Sequence, residues 1–377
     1  WPYVMCIGTP ATQEDQSALP AVRELFHFAR EHAEYSRDLQ SLSPIALVWP
    51  AGSTGGGAGQ YGVERSRAHY QGWYSVLVAQ HYLFDVIGDL QLDRAGVGAL
   101  LARYRLVIVP NAATLSAAAC DALDAFVHHG GALLATAETS LAHPDGRLRQ
   151  GFGLGSLGAA HVRAARHAFR NAYFSVENPA AWPRLAGVRL LPVQGTYLYV
   201  ARRAGAVGEL RFVAPELYGA PEQTRIEHET AWPAVIWHSF GRGQTAYLPW
   251  EPGRLWYDSA PASLELFISD LMARLLPETQ LVETNAPACV ELTAFRQPAR
   301  GSRPERFIVH LVNGSGEDGP AMRPPLPVHD IQVRVHAERP LQVRAMRLGQ
   351  ELPVQRDGAW HVTVLPRLDQ LELLVWE

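Results

Sequence analysis

The chain has 377 residues, 47% hydrophobic and 19% charged, too long for one ordinary core and apolar enough to bury two or more. A formal charge of −4 leaves no electrostatic footprint for nucleic acid, and no basic segment suits a nucleic-acid or membrane surface, so neither is expected as a partner. All 33 cationic side chains are arginines, which excludes a Walker-type phosphate loop, a Schiff-base lysine and pyridoxal phosphate chemistry.

Cys6, Cys120 and Cys289 lie far apart with no C-x-x-C, so neither a disulfide framework nor a zinc knuckle is indicated. A reducing, cytoplasmic compartment is expected, with no cofactor and no metal. No window approaches twenty uninterrupted apolar residues, so no membrane span is expected. Trp1 stands where a methionine would open a natural chain, which points to a natural N-terminus upstream.

In chain order, PYVMCIG is an apolar run, and Leu19, Val22, Leu25, Phe26, Ala29 and Ala33 recur at helical spacing between Ala18 and about Leu39. From Pro44 short apolar strands alternate with helices: IALVWP, a helix over Ser66 to Gln80, LFDVIGD, a helix over Leu92 to Ala102, YRLVIVPNA, a helix over Ser116 to His129, and GALLATAE. Ile, Leu and Val strands alternating with helices predict an α/β domain with a doubly wound parallel sheet. VRLLPVQGTYLYV, GELRFVAPELYG and AVIWHSFGRGQTAYLPW read as strands of a mixed or antiparallel extension, closed by a helix over Ser263 to Leu276. After Pro277, CVELTAFRQ, RFIVHLVNG, IQVRVHA, LQVRAMRLG, HVTVLP and LELLVWE predict a small antiparallel β-sandwich.

Gly57, Gly59 and Gly62 spell G-x-G-x-x-G, but seven residues separate Trp49 from Gly57, and the nearest strand-end acid, Asp89, comes too late for a ribose ligand. The match reads as chance within a glycine-rich loop. Tyr61, His69, Tyr70, Trp73 and Tyr74 concentrate aromatic surface beside that loop, suited to stacking on sugar or on a partner, although such aromatics are more often core. The turn after GALLATAE holds Ala137 and Glu138 and no thiol, Cys120 falls within a helix, and no G-x-S-x-G occurs, so no nucleophile stands out. His128 and His129 read as helix-end caps, and Asn313-Gly314-Ser315 as a turn before it is a glycosylation sequon. Glu216, Glu222, Glu227, Glu229 and Glu251 could supply paired carboxylates, but no spacing selects a pair.

PAVIWHSFGRGQTAYLPWEPGRLWYDSAPASLELFISDLMARLL has a strand, a G-x-G turn at Gly241 and Gly243, a strand ending in Tyr-Leu-Pro, an aromatic loop and a closing helix. That order resembles the end of the trimerisation domain of glycoside hydrolase family 42 β-galactosidases, and the rest of the chain follows the same plan. The resemblance implies three parts: residues 1–42 as the last strand and helix of a (β/α)8 barrel, 43–280 as a trimerisation domain with a flavodoxin-like, class I glutamine amidotransferase-like fold, and 281–377 as the closing β-sandwich. It further implies a homo-oligomer, a trimer, that meets its carbohydrate substrate through the parent barrel. The family's acid/base and nucleophile glutamates would precede Trp1, so no position here inherits a catalytic role. Contact residues are expected among Tyr61, His69, Tyr70, Trp73, Trp250, Trp256 and Tyr257, with Trp49 adding apolar surface. An independent α/β hydrolase or amidotransferase-like enzyme, or a carbohydrate-binding scaffold module, are the alternative readings.

Overall fold

In the computed structural model the described residues are 19–54, 63–213, 229–277, 280–318 and 321–377. They fall into two compact units, Ser43–Gln280 and a second made of Trp1–Leu42 with Leu281–Glu377.

The second unit begins with α1 (Leu19–Glu31) and the short β1 (Gln40–Ser41). Its remaining strands follow Gln280 and are given below. The first unit runs β2 (Ile45–Trp49), α2 (Ala51–Thr54), α3 (Val63–Ala79), β3 (Phe84–Gly88), α4 (Val97–Leu101), β4 (Leu106–Val109), α5 (Ala117–His128) and β5 (Ala132–Thr136). Four strands follow, β6 (Ala159–Ser175), β7 (Leu190–Arg202), β8 (Val207–Val213) and β9 (Glu229–Phe240), then β10 (Gly243–Leu248), α6 (Pro252–Ser259) and α7 (Ala262–Leu275).

These strands form one nine-stranded sheet in the order β3-β2-β4-β5-β10-β9-β8-β6-β7. Only β3, β2, β4, β5 and β10 are parallel; β9, β8, β6 and β7 join antiparallel. The expected flavodoxin-like, amidotransferase-like doubly wound domain is therefore wrong: the unit is a mixed α/β fold, mostly sheet. The alternation of strand and helix stops at β5, and the chain then runs through five strands, β6 to β10, with no α-helix between them among the described residues. The far strand also turns back, because Leu198 N–H donates to Pro249 O at 2.7 Å and Tyr197 bridges Trp250. The sheet thus curls its antiparallel half over the end of β10.

Both faces of the parallel part are covered, which explains why its strands are apolar throughout. In β2, Ile45 and Leu47 join Trp73, Leu77, Phe267 and Leu271 on one side, while Ala46 and Val48 join Leu123 and Val127 on the other. At the start of α5, Ser116 Oγ accepts from Ala119 N–H at 2.9 Å, filling the cap position that its sequence announces.

The second unit continues with β11 (Val282–Thr284), β12 (Val290–Gln297), β13 (Arg306–Asn313), β14 (Glu317–Asp318), β15 (Ala321–Met322), β16 (Val328–His336), β17 (Val343–Ala345), β18 (Gln350–Leu352), β19 (Gln355–Asp357), β20 (Trp360–Leu368) and β21 (Leu371–Trp376). With β1 they make a six-stranded sheet, β1-β12-β13-β21-β17-β18, a four-stranded sheet, β11-β16-β20-β19, and the two-stranded pair β14-β15, all antiparallel. Phe28, Tyr35 and Leu39 pack on Ile308, Leu373 and Val375 of the larger sheet. Gln297 Nε2 donates to Glu34 O and Arg37 O at 2.7 and 2.8 Å, so the segment after α1 is held by backbone as well as by apolar contact. Among the described residues no helix is long and apolar enough to cross a membrane.

Candidate functional site

The aromatic residues singled out in the sequence come from α3 and from the stretch between β10 and α6, and the fold brings these two together. Gly72 of α3 lies against Gly253 of α6 so closely that a Cβ on Gly72 would sit 1.7 Å from Gly253 O. Close backbone approach at paired glycines buries what flanks them: His69, Trp73 and Trp250 have no exposed surface. Tyr70 and Trp256 are half-buried on the same core, Tyr70 meeting Trp49 edge-to-face at 4.5 Å, and Tyr257 is 55% exposed. Tyr61 and the glycines of the G-x-G-x-x-G lie outside the described residues. Of the seven predicted contact residues, then, three are sealed inside, two reach the surface in part and one is on it.

At the centre of this seam is a buried pair that spacing could not reveal. His69 Nε2 lies 3.4 Å from Glu251 Oε1, and both side chains are almost wholly shielded from solvent. Glu251 Oε2 accepts from Thr196 N–H at 3.0 Å and lies 3.8 Å from Arg254 Nη1. The approach of β7 to this carboxylate needs Gly195, whose φ is +85° and whose added Cβ would fall 2.1 Å from Glu251 Oε2. The pair joins α3, β7 and the start of α6 with both side chains shielded from solvent, the arrangement of a tie between elements. A glycine inside the strand VQGTY was the available signal, since such a residue marks close approach of another group.

The other candidates resolve individually. Glu216, Glu222 and Glu227 lie outside the described residues. Glu229 hydrogen-bonds Glu177, whose carboxyl is held above its usual range first by partial burial and then by Glu229, against the pull of Arg211 at 3.0 Å. Hydrogen-bonded carboxyls stand closer than the roughly 5 Å or more that glycoside cleavage needs between its two acids. Asp89 is buried and its Oδ2 accepts from Gly52 N–H at 2.8 Å, fastening α2; burial pushes its carboxyl up while backbone N–H groups oppose. His129 Nδ1 lies 2.6 Å from Ala125 O at the end of α5, a helix-end role. Burial pushes the Cys120 thiol up to about 11, away from thiolate reactivity. Asn313 is buried, its Nδ2 donating to Leu326 O and Asp369 O and its Oδ1 accepting from Ser315 N–H, which makes it a turn and not an open sequon. Among the described residues no group of three or more His, Cys, Asp or Glu could hold a metal ion.

Comparison with known proteins places part of the chain in a described domain family. Residues 46–164 match the family model described as the beta-galactosidase trimerisation domain. Nearly the whole chain is similar in fold to about half the length of solved glycosidases, several of them β-galactosidases. Alpha-L-fucosidase isoenzyme 2 from Paenibacillus thiaminolyticus aligns over 98% of this chain and 54% of its own, with a TM-score of 0.73 and 18% identity. The beta-galactosidase from Bacillus circulans sp. alkalophilus aligns over 97% and 46%, with a TM-score of 0.65 and 13% identity. The beta-galactosidase from Rahnella sp. R3 aligns over 96% and 44%, with a TM-score of 0.60 and 16% identity. At these identities the likeness is one of fold. The chain spans about half the length of the solved structures it matches. No curated protein sequence matches it.

Proposed function

We propose that this chain is the C-terminal, non-catalytic portion of a glycoside hydrolase, and that the unit 43–280 holds copies together as a homotrimer. The observation that carries this reading is the trimerisation-domain match over residues 46–164, set within a fold likeness that runs along the whole chain. Residues 1–42 are, in this reading, the last strand and helix of the parent (β/α)8 barrel. The parent would meet its carbohydrate substrate in that barrel, with neighbouring copies shaping the entrance, and would cleave a glycosidic bond with two carboxylates and water. Tyr257, with the half-buried Trp256 and Tyr70, is the aromatic surface available for contact between copies. Size-exclusion chromatography with light scattering is the test: the expected mass is three times that of the chain, and a monomer throughout the micromolar range would overturn the reading. The chain alone is expected to release no nitrophenol from nitrophenyl glycosides above the uncatalysed rate.

A further inference from the structure

Where the parallel strands of the first unit begin, a cleft of ≈ 370 Å³ opens between the starts of β4, β5 and β10 and the end of α7. That volume is within the range of about 300–1,000 Å³ usual for small-molecule sites. Arg105, Arg242, Gln244 and Ser239 supply its polar side chains, and Leu275, Leu276 and Pro277 form a hydrocarbon wall. Among the described residues no carboxylate lines it, so both formal charges in the lining are positive.

Backbone contacts fix where both arginines stand. Arg105 N–H donates to Pro44 O at 2.7 Å and Arg105 O accepts from Ala132 N–H at 2.9 Å, which anchors it at the start of β4 beside β5. Arg242 occupies the turn between β9 and β10, where its N–H donates to His128 O at 3.0 Å. That turn presses on the end of α5 because its flanking residues are glycines. Gly241 has φ +62°, and a Cβ added at Gly243 would fall 2.2 Å from both Gly131 O and Val127 O. Arg242 Nη2 donates to His129 O at 3.1 Å, which uses one of the five N–H donors of a guanidinium. Both arginines are exposed, so neither belongs to the core.

The C-terminal ends of α5 and α7 adjoin the same cleft, and their last carbonyls oppose an anion by about half a charge each at most. Two guanidiniums outweigh the two helix ends by about one positive charge. Gln244 Nε2 and Arg242 Nη2 also donate to Arg274 O and His129 O, carbonyls at those ends. A cleft lined by one sign of charge concentrates ions of the other, so a cation is repelled here and an anion is drawn in. A bare inorganic anion would leave the leucines and the proline wet. Guanidinium forks match the planar geometry of a carboxylate, and a hydrocarbon body would cover the wall. We infer that the cleft binds a small organic carboxylate, its charged end on Arg105 and Arg242 and its apolar body on Leu275, Leu276 and Pro277.

This inference stands apart from the assembly reading and is tested apart from it. Benzoate and hexanoate are titrated by saturation-transfer NMR at low ionic strength, with benzyl alcohol and benzylamine as uncharged and cationic probes and inorganic phosphate as a competitor. Both carboxylates are expected to bind saturably, benzyl alcohol at least about tenfold more weakly and benzylamine not at all. Arg105→Gln and Arg242→Gln are each expected to weaken benzoate about tenfold, the loss of a hydrogen bond between charged groups. Arg147→Gln removes the same charge at a side chain 80% exposed and outside the cleft, and should leave binding unchanged. Light scattering on these variants should give the parent's mass, whatever that is. The inference is overturned by any of four results: no saturable carboxylate binding; benzyl alcohol binding as tightly as benzoate; phosphate displacing benzoate at lower concentration than hexanoate does; or affinity that ignores both cleft variants or falls equally with Arg147→Gln.

Discussion

Glu251 shows how much of this protein rests on single buried polar atoms. Its carboxylate meets His69 and the Thr196 N–H inside the core, and a buried pair that loses one member leaves the other desolvated and uncompensated. Glu251→Ala is therefore expected to cost about 3–5 kcal/mol in urea unfolding, and a double variant with His69→Leu less than the sum of the two single changes. Additive losses would show that the two residues do not act on each other. Gly195→Ala should be destabilising at the same place, because its φ of +85° and the 2.1 Å approach to Glu251 Oε2 both oppose a side chain. A second residue governs the acid limb of stability. Burial pushes the His310 imidazole in β13 down to about 4, so the folded chain resists a proton that the unfolded chain accepts near the usual 6.5. The stability this contributes is complete above pH 6.5 and is lost as pH falls towards 4, at most about 3 kcal/mol. Glu372 acts in the other direction, since burial raises its carboxyl despite hydrogen bonds from the Arg347, Leu373 and Leu348 N–H groups, and its contribution disappears as pH rises through that raised value. His310→Leu should thus flatten the fall in chemical-denaturation stability between pH 6.5 and pH 4; an unchanged slope would assign that fall to other groups.

Among elements, the crossing of α3 and α6 sets how the aromatic seam packs. Gly72 and Gly253 are in backbone contact there, and a Cβ at Gly72 meets a carbonyl oxygen that no rotamer change can move. Gly72→Ala is expected to push the helices apart and to cost about 1–3 kcal/mol or more, with near-ultraviolet circular dichroism reporting the disturbed surroundings of Trp73 and Trp250. A variant as stable as the parent with an unchanged spectrum would contradict that geometry. The elements also differ in how far they could be read from sequence. The strands IALVW, LVIV and ALLAT and the helix capped by Ser116 were legible because burial on both faces demands continuous apolar runs and a helix start demands a cap. The strand β6 was not: AAHVRAARHAFRNAYFS has neither alternation nor a β-branched majority, its residues from Arg163 to Ala168 are exposed on both faces, and its register against β7 shifts repeatedly. With β6 unread, the antiparallel half of the sheet had no centre, and the parallel half alone suggested a doubly wound domain. The burial of Trp73 and Trp250 was illegible for a related reason. Trp73 and Trp250 are apolar mass that local pattern cannot assign to core or interface, and only the Gly72–Gly253 contact, 181 positions apart in sequence, decides for the core.

For the molecule as a whole, trimerisation would make stability depend on concentration. A subunit that associates only when folded draws the equilibrium towards the native state by mass action, so the unfolding temperature of a trimer rises as the protein is concentrated, whereas that of a monomer does not. If contact between copies uses the aromatic surface around Tyr257, which is 55% exposed, then Tyr257→Asp places a charge where apolar area would be covered and should lower both the trimer fraction and the concentration dependence of the melting temperature together. Because Tyr257 lies on the outside of α6, the same change should leave the melting temperature of the dilute chain within about a degree or two of the parent, as surface substitutions usually shift stability by no more than about 0.5 kcal/mol. Calorimetric scans across a hundredfold range of concentration, roughly from micromolar to a tenth of millimolar, separate the cases. A parent whose melting temperature does not move across that range would remove assembly from this unit altogether, and a parent that moves equally with Tyr257→Asp would place the contact on another face.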